Sequence, residues 1–395
     1  MKYNLSKLDY WQIRQIEEEQ KTQDDVTEKL VAINRAYTIA QNYLTSETSR
    51  LYHRYFSQET SEEYIEDVLN TRISPSELVT LKALADDISV KEDRDLVVRY
   101  LNQVSAKSRI TRLDELQLKA YISAKQAGAI ELKQNTDLYT EVINRAWEQA
   151  ETESIIYQTR KDYDLYPKGN IPKVDAKKKQ VKIVNPKTSK TVAKVDVTPD
   201  EPIRTVKKLP NEYVQKALDT QWKGARYSKR IWKNTDDLAK QLKELFTARE
   251  MSGMTEREMI NRIQERFDVG RYKASRLIRT EANFFYNKTK LESWKQRNVK
   301  QYQLVAVLDN RTSKICRSID GKIFDVSEAT IGVNYPPFHP FCRTVATIYL
   351  KNSPYTGTRT ARTSDRSKEF QIDQTKNYRD WEKIVKGGNA DAQLL

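Results

Sequence analysis

The first 127 residues contain no glycine and a single proline. Glycine and proline are the residues that most often interrupt helices, so a stretch this long without them favours long helices. The side-chain pattern agrees. Ile33, Tyr37, Ala40, Leu44, Leu51 and Tyr55 recur near a 3.6-residue spacing and form one apolar stripe, with charged residues between them. The one proline, Pro75, stands where a helix accepts it: Ser74 is placed as N-cap, Pro75 at the first helical position and Glu77 at the third. Further helices are expected over roughly 77–104, 112–128 and 137–160. Residues 1–165 therefore read as a helical region.

The next segment has a different character. Residues 166–210 hold six of the eleven prolines, with twelve basic and four acidic residues. Val181, Ile183, Val192, Val195 and Val197 suggest a short β-hairpin around Asn185-Pro186-Lys187. Residues 166–209 thus read as a basic Pro/Lys-rich linker or β-hairpin arm. From 210 the helical pattern returns. One helix is expected from about Thr235 to Met251, with Gly253 as its stop. Thr255 and Glu258 form a capping box for the next, and a longer helix is expected after Gly270. Residues 301–350 alternate as short strands: one ends at Asp309, a turn lies at Asp320-Gly321, and a last strand runs from Thr344 to Leu350. The polar tail, 351–395, is expected to be disordered to about Lys368, with a short helix around Tyr378–Val385. The fold class is α+β, predominantly helical.

Charge divides along the same lines. The net charge is +14, but residues 1–165 carry 22 basic and 29 acidic side chains, whereas residues 211–395 carry 35 and 22. A mildly acidic half followed by a strongly basic one suggests a polyanion partner, with nucleic acid the default. Mean hydropathy is −0.79, hydrophobic residues make up 38% and charged residues 31%. No stretch approaches the ~18 apolar residues of a membrane span, and no secretory leader is read at the N-terminus. Two cysteines cannot build a disulfide framework. Two histidines leave little material for a multi-histidine metal centre.

Both cysteines and one histidine nevertheless fall within 27 residues: Cys316, His339 and Cys342. His339-x-x-Cys342 has the spacing of a metal-binding knuckle, but tetrahedral zinc takes four ligands, so Asp309 or water would have to complete the set. The alternative is a compact β-unit packed around these residues without metal. A thiol-protease reading would need Cys316 against His339 plus an orienting Asn or Asp, and nothing around Cys316 resembles a nucleophile site. An HNH-like nuclease would need more histidines near a metal than His339, because His53 lies in a distant helix.

The ordered string Asp309-x-Arg311-Thr312, Cys316, Asp320-Gly321-Lys322 and Pro336-Pro337-x-His339-Pro340-x-Cys342-Arg343 resembles the Mu protein-F-like domain of tailed-phage minor head proteins. Arg279-Thr280-Glu281 resembles that family's Arg-Thr-Glu helix. Tyr227 to Trp232 through Thr255, and the N-terminal Tyr10-Trp11-x-x-Arg14, resemble head morphogenesis proteins from phages of Gram-positive bacteria. The resemblance covers 210–350 well and 1–165 loosely. It departs in one place: many relatives carry Cys-x-x-Cys where this chain has Ser313-Lys314-Ile315-Cys316.

The resemblance implies a non-enzymatic minor capsid protein of the virion, inside the head near the portal vertex and in the host cytoplasm during assembly. Its implied partners are the portal protein, scaffold and major capsid protein, and double-stranded DNA bound non-specifically, with no membrane. It implies a role in procapsid assembly, packaging or genome ejection. Phosphate contacts are expected from Lys177, Lys178, Lys179, Arg226, Lys229, Arg230, Arg271, Lys273 and Arg276. Arg279, Glu281, Asp309, Arg311, Cys316, Asp320, Gly321, His339, Cys342 and Arg343 make up the structural motif. No cofactor is expected, with zinc at Cys316, His339 and Cys342 the open exception. The competing readings are an assembly factor that binds portal or scaffold without DNA, and a nuclease or toxin-like enzyme carried in the virion.

Overall fold

The structure, a computed structural model, describes residues 10–56, 60–88, 91–106, 110–162, 171–175, 180–185, 187–196, 206–349, 358–363, 368–373 and 375–386. In chain order these form α1 (Tyr10–Tyr55), α2 (Glu62–Asn70), α3 (Pro75–Asp86), α4 (Lys91–Ala106), α5 (Arg112–Asp162), β1 (Ile171–Asp175), β2 (Gln180–Val184) and β3 (Thr191–Asp196). They continue with α6 (Tyr213–Leu218), α7 (Tyr227–Leu245), α8 (Ala248–Ser252), α9 (Glu256–Gln296), β4 (Gln301–Val305), α10 (Lys314–Ile319), β5 (Ile323–Asp325), β6 (Val345–Ile348), β7 (Thr358–Arg362), β8 (Glu369–Asp373) and α11 (Tyr378–Lys386). Two compact units result. One comprises residues 1–25, 139–217 and 279–395, and the other residues 26–138 and 218–278. Helices α1, α5 and α9 contribute residues to both.

The unit of residues 26–138 and 218–278 is helical. The α1 stripe is its core, with Ile33, Tyr37, Ala40, Leu44 and Leu51 buried. A second cluster joins Leu81, Ala85, Val97, Leu101, Leu118 and Ile122. Each leucine, isoleucine and valine among them contributes about 1.5–3 kcal/mol on burial. Both capping boxes form. Ser74 Oγ accepts from Glu77 N at 3.2 Å while Glu77 accepts from Ser74 N at 2.7 Å. Thr255 and Glu258 repeat the pattern at 3.3 and 2.8 Å.

Two expected helix breaks do not occur. Helix α5 runs through Gly128, and α9 runs through Gly270. Each glycine instead permits a close approach. A Cβ on Gly128 would lie 2.7 Å from Thr235 Cγ2, and one on Gly270 would lie 2.9 Å from Tyr37 Cε1. Conversely, the helix expected over 77–104 is two helices, α3 and α4. The helix expected over 235–251 starts earlier, at Tyr227, and is followed by the short α8, which Gly253 caps.

The unit of residues 1–25, 139–217 and 279–395 carries the strands. The arm around Asn185 is a three-stranded antiparallel meander in the order β1-β2-β3, with Val181 opposite Val195. Asn185 Oδ1 accepts from Lys187 N at 2.9 Å and Thr188 N at 3.2 Å, so the side chain shapes the expected turn. A second antiparallel sheet has the order β5-β4-β6. Its core gathers Trp294 from α9 with Tyr302, Leu304, Tyr335 and Ala346, and Ala150 from α5.

Charge is buried here in compensated pairs. Glu151 accepts from Ser293 Oγ at 2.8 Å, Lys207 N at 3.0 Å and the Arg297 guanidinium. Lys290 Nζ donates to Ala346 O at 2.9 Å beside Glu153, and burial pulls its ammonium down to about 8.

The expected disordered tail requires correction. Residues 358–362 are strand β7, paired with β8, and α11 follows where a short helix was expected. Phe370, Ile372, Tyr378 and Trp381 are buried against Leu308. Those four side chains give the polar tail enough apolar surface to pack, which its average composition conceals.

Candidate functional site

Strand β4 stops at Val305 rather than at Asp309, and the chain beyond it carries Asp309 to the centre of the motif. Its carboxylate is fully buried and accepts from Arg343 Nη1 and Nη2 at 2.7 Å each, and from Arg311 N at 2.9 Å. Burial alone would raise this carboxyl, but the Arg343 hydrogen bonds and charge outweigh it and hold it below the usual carboxylate range. The Arg311 and Arg362 guanidinium groups stand 4.0 and 3.8 Å away. Asp320 is held in the same manner: it accepts from Ala306 N at 2.8 Å and from both Nη atoms of Arg359 at 3.0 and 3.1 Å. Gly321 then takes φ +79°, a conformation other residues rarely adopt, and donates its N–H to Leu304 O at 2.9 Å.

The Arg-Thr-Glu stretch of α9 supports this centre through its middle residue, which the sequence reading overlooked. Thr280 Oγ1 accepts from Phe341 N at 3.1 Å. Phe341 has φ +60°, a strained conformation costing on the order of 1–3 kcal/mol unless neighbours fix it. The turn from His339 to Arg343 is thus pinned from both ends, by Thr280 and by Asp309. Arg279 donates to Gln23 Oε1 at 2.7 Å, a bond to a neighbouring element as expected, and Glu281 is buried.

Helix α10 brings Cys316 to that turn. Ser313 caps the helix, its Oγ accepting from Cys316 N at 3.2 Å. Cys316 Sγ lies 3.2 Å from His339 Nε2 and 3.8 Å from Cys342 Sγ, and the three donor atoms all lie within 4.8 Å of one another. Both thiols are buried, at 2% and 0% exposure. Cys316 is the acidic one of the two. The Cys342 thiol donates to it, which outweighs the opposing effect of burial, and His339 and Ser313 add to the lowering. His339 Nδ1 donates to Pro340 O at 2.7 Å, which fixes the ring and aims Nε2 at the sulfurs.

This donor set fits a zinc-type ion. Two sulfurs each bound to zinc at about 2.3 Å stand about 3.8 Å apart in a tetrahedron, the separation found here. A backbone carbonyl holding the far ring nitrogen is the usual support of a ligating histidine. Cys316, His339 and Cys342 would hold the ion. Asp309, the fourth ligand considered from sequence, is committed to Arg343 and lies outside the cluster. Cys316 and His339 do meet, as a thiol protease would require. However, the group orienting the ring is a carbonyl rather than Asn or Asp. His53 sits in the other unit, on α1, 3.5 Å from Glu256.

The described cations expected to meet phosphate all lie in the helical unit, on or beside α7 and α9. Lys229 and Arg276 are exposed. Arg226 is exposed and paired with Asp219 at 2.8 Å. Arg230 donates to Trp222 O and lies over the Trp222 ring, 5.6 Å from its centroid. Arg271 pairs with Asp268 and donates to Gln41 Oε1 at 2.8 Å, and Lys273 pairs with Asp237 at 3.4 Å. Lys177, Lys178 and Lys179 lie outside the described residues.

A β-unit held by a buried Asp–Arg clamp and a Cys/His cluster, packed against a long helix carrying Arg-Thr-Glu, is the class of domain defined here. Residues 236–347 match the family described as phage Mu protein F like protein. The similarity to that family is confined to this stretch of the chain. No curated protein and no solved structure matches the chain. Among the described residues, no helix is long and apolar enough to cross a membrane.

Proposed function

We propose that this protein is a minor head protein that joins the phage head during assembly, associates with the portal, and binds packaged DNA non-specifically. The observation that carries the reading is the Mu F-like match over residues 236–347. The charge division supports the DNA part, since the basic half of the sequence follows the Lys-rich arm. Lys229, Arg276 and Arg226 offer their charges at the surface of one unit. The Arg226–Asp219 pair does not stand in the way, because exposed ion pairs are worth about 0–1 kcal/mol and a phosphate can replace the carboxylate.

Contacts of this kind need charge and little geometry, so affinity follows counterion release. Binding of the full chain to duplex DNA of unrelated sequences should be indistinguishable among them. Its log K should fall with log salt with a slope steeper than about −3. Replacing Lys177, Lys178 and Lys179 together by alanine should make the slope shallower by about 2–3. A flat salt response rejects DNA binding. Co-sedimentation with portal that survives nuclease, together with a flat response, selects the portal-binding assembly factor instead.

A further inference from the structure

We propose that the metal centre of this chain is an open one: Cys316, His339 and Cys342 hold the ion, and the fourth coordination position, beside Ser313, takes a single exchangeable donor. The inference rests on the metal reading of the cluster and concerns the position beside Ser313.

Three observations carry it. First, among the described residues no further cysteine, histidine or carboxylate joins the cluster. Asp309 is held by Arg343 through two 2.7 Å bonds. Ser313 offers a neutral hydroxyl, and structural zinc is closed by thiolate, imidazole or carboxylate. Second, Ser313 is placed to hold a bound donor rather than to be one. Its Oγ caps α10 by accepting from Cys316 N and lies 2.8 Å from His339 Nε2. Once Nε2 turns its lone pair to a metal, that contact is released, and the serine O–H can donate to whatever occupies the fourth position. Third, there is space of the right size. A niche of about 10 Å³ has Ser313, Cys316, His339, Arg311 and Arg343 in its lining. That volume holds about one water-sized ligand. The guanidinium groups in that lining favour a small donor with negative charge, hydroxide or chloride.

Cobalt(II) reports both the number of sulfur ligands and the openness of the site, independently of any assembly activity. The full-length chain, reduced and titrated with Co²⁺ alone, should bind one equivalent with tetrahedral d–d bands and charge-transfer intensity from two thiolates. Adding chloride or fluoride should then shift the d–d bands and saturate. In the Ser313→Cys variant, thiolate-to-cobalt intensity should rise by about half, from two sulfurs to three, and the added ligands should have no effect. Cobalt bound by the unaltered chain with bands that ignore added ligands overturns the open position and leaves the metal reading standing. No cobalt uptake at a one-to-one ratio overturns the metal reading itself.

Discussion

Asp309 and Arg343 are joined by two parallel hydrogen bonds of 2.7 Å across 34 residues of sequence, and this clamp closes the loop that carries the Cys/His cluster. Asp309→Asn leaves the Arg343 guanidinium without its anion and should cost roughly 3 kcal/mol of stability. Arg343→Lys should recover little of the geometry, because an ammonium cannot present two parallel donors. Chemical denaturation of both variants and the double variant measures the coupling. Losses that simply add would show that the two side chains act independently.

Glu131 is buried, accepts from Tyr37 Oη at 2.7 Å, and has its second carboxyl oxygen without a hydrogen-bond partner. Burial pushes its carboxyl from 4.5 up to about 7, against the lowering effect of the tyrosine. Between those values the folded chain keeps a proton that the unfolded chain has released. Its contribution is therefore complete below about 4.5 and is lost as pH rises through 7. Glu131→Gln keeps an acceptor for Tyr37 without the charge. It should be more stable than the parent at pH 8 by roughly 1–3 kcal/mol and near-neutral at pH 4.5. Urea unfolding at the two pH values checks this.

Gly128→Ala replaces the poorest common helix former after proline with the best, which alone would favour the variant by about 1 kcal/mol. The new Cβ would meet Thr235 Cγ2 at 2.7 Å and Trp232 Cζ3 at 3.1 Å. Net destabilisation of about 1–2 kcal/mol is expected. Adding Thr235→Ser removes the nearer methyl and keeps the hydroxyl that donates to Trp232 O, so it should restore part of the loss. Thermal midpoints of the single and double variants decide it.

Trp381 from α11 is 1% exposed, packs on Tyr378 at 4.8 Å between centroids, and donates to Arg362 O at 3.0 Å. Trp381→Ala should cost about 3–5 kcal/mol and expose Leu308. Hydrogen exchange should then quicken in β4 and β7. Unchanged protection there would mean that the tail is an appendage.

The sequence carried much of this and concealed the rest for identifiable reasons. Ser74 with Glu77 and Thr255 with Glu258 were legible because capping is local chemistry. The β2–β3 turn at Asn185 was legible for the same reason. Gly128 and Gly270 read as punctuation, but their role is set by Thr235 and Tyr37, residues far away in sequence. The string from Asp309 to Arg343 marked the domain, yet the Asp309–Arg343 clamp that rules out a carboxylate ligand depends on how the loop closes. Thr280 lay inside a recognised motif, but its partner Phe341 acquires its positive φ only in the folded turn. The tail misled because four buried side chains are diluted among Ser, Thr and Arg.

The proposed role makes this chain a structural component of the phage head. Quantitative mass spectrometry of purified procapsids and DNA-filled heads tests it most directly. The chain should be present in both particles, in few copies relative to the major capsid protein and in fixed ratio to portal. Its absence from both, with the chain confined to the lysate, would refute that role.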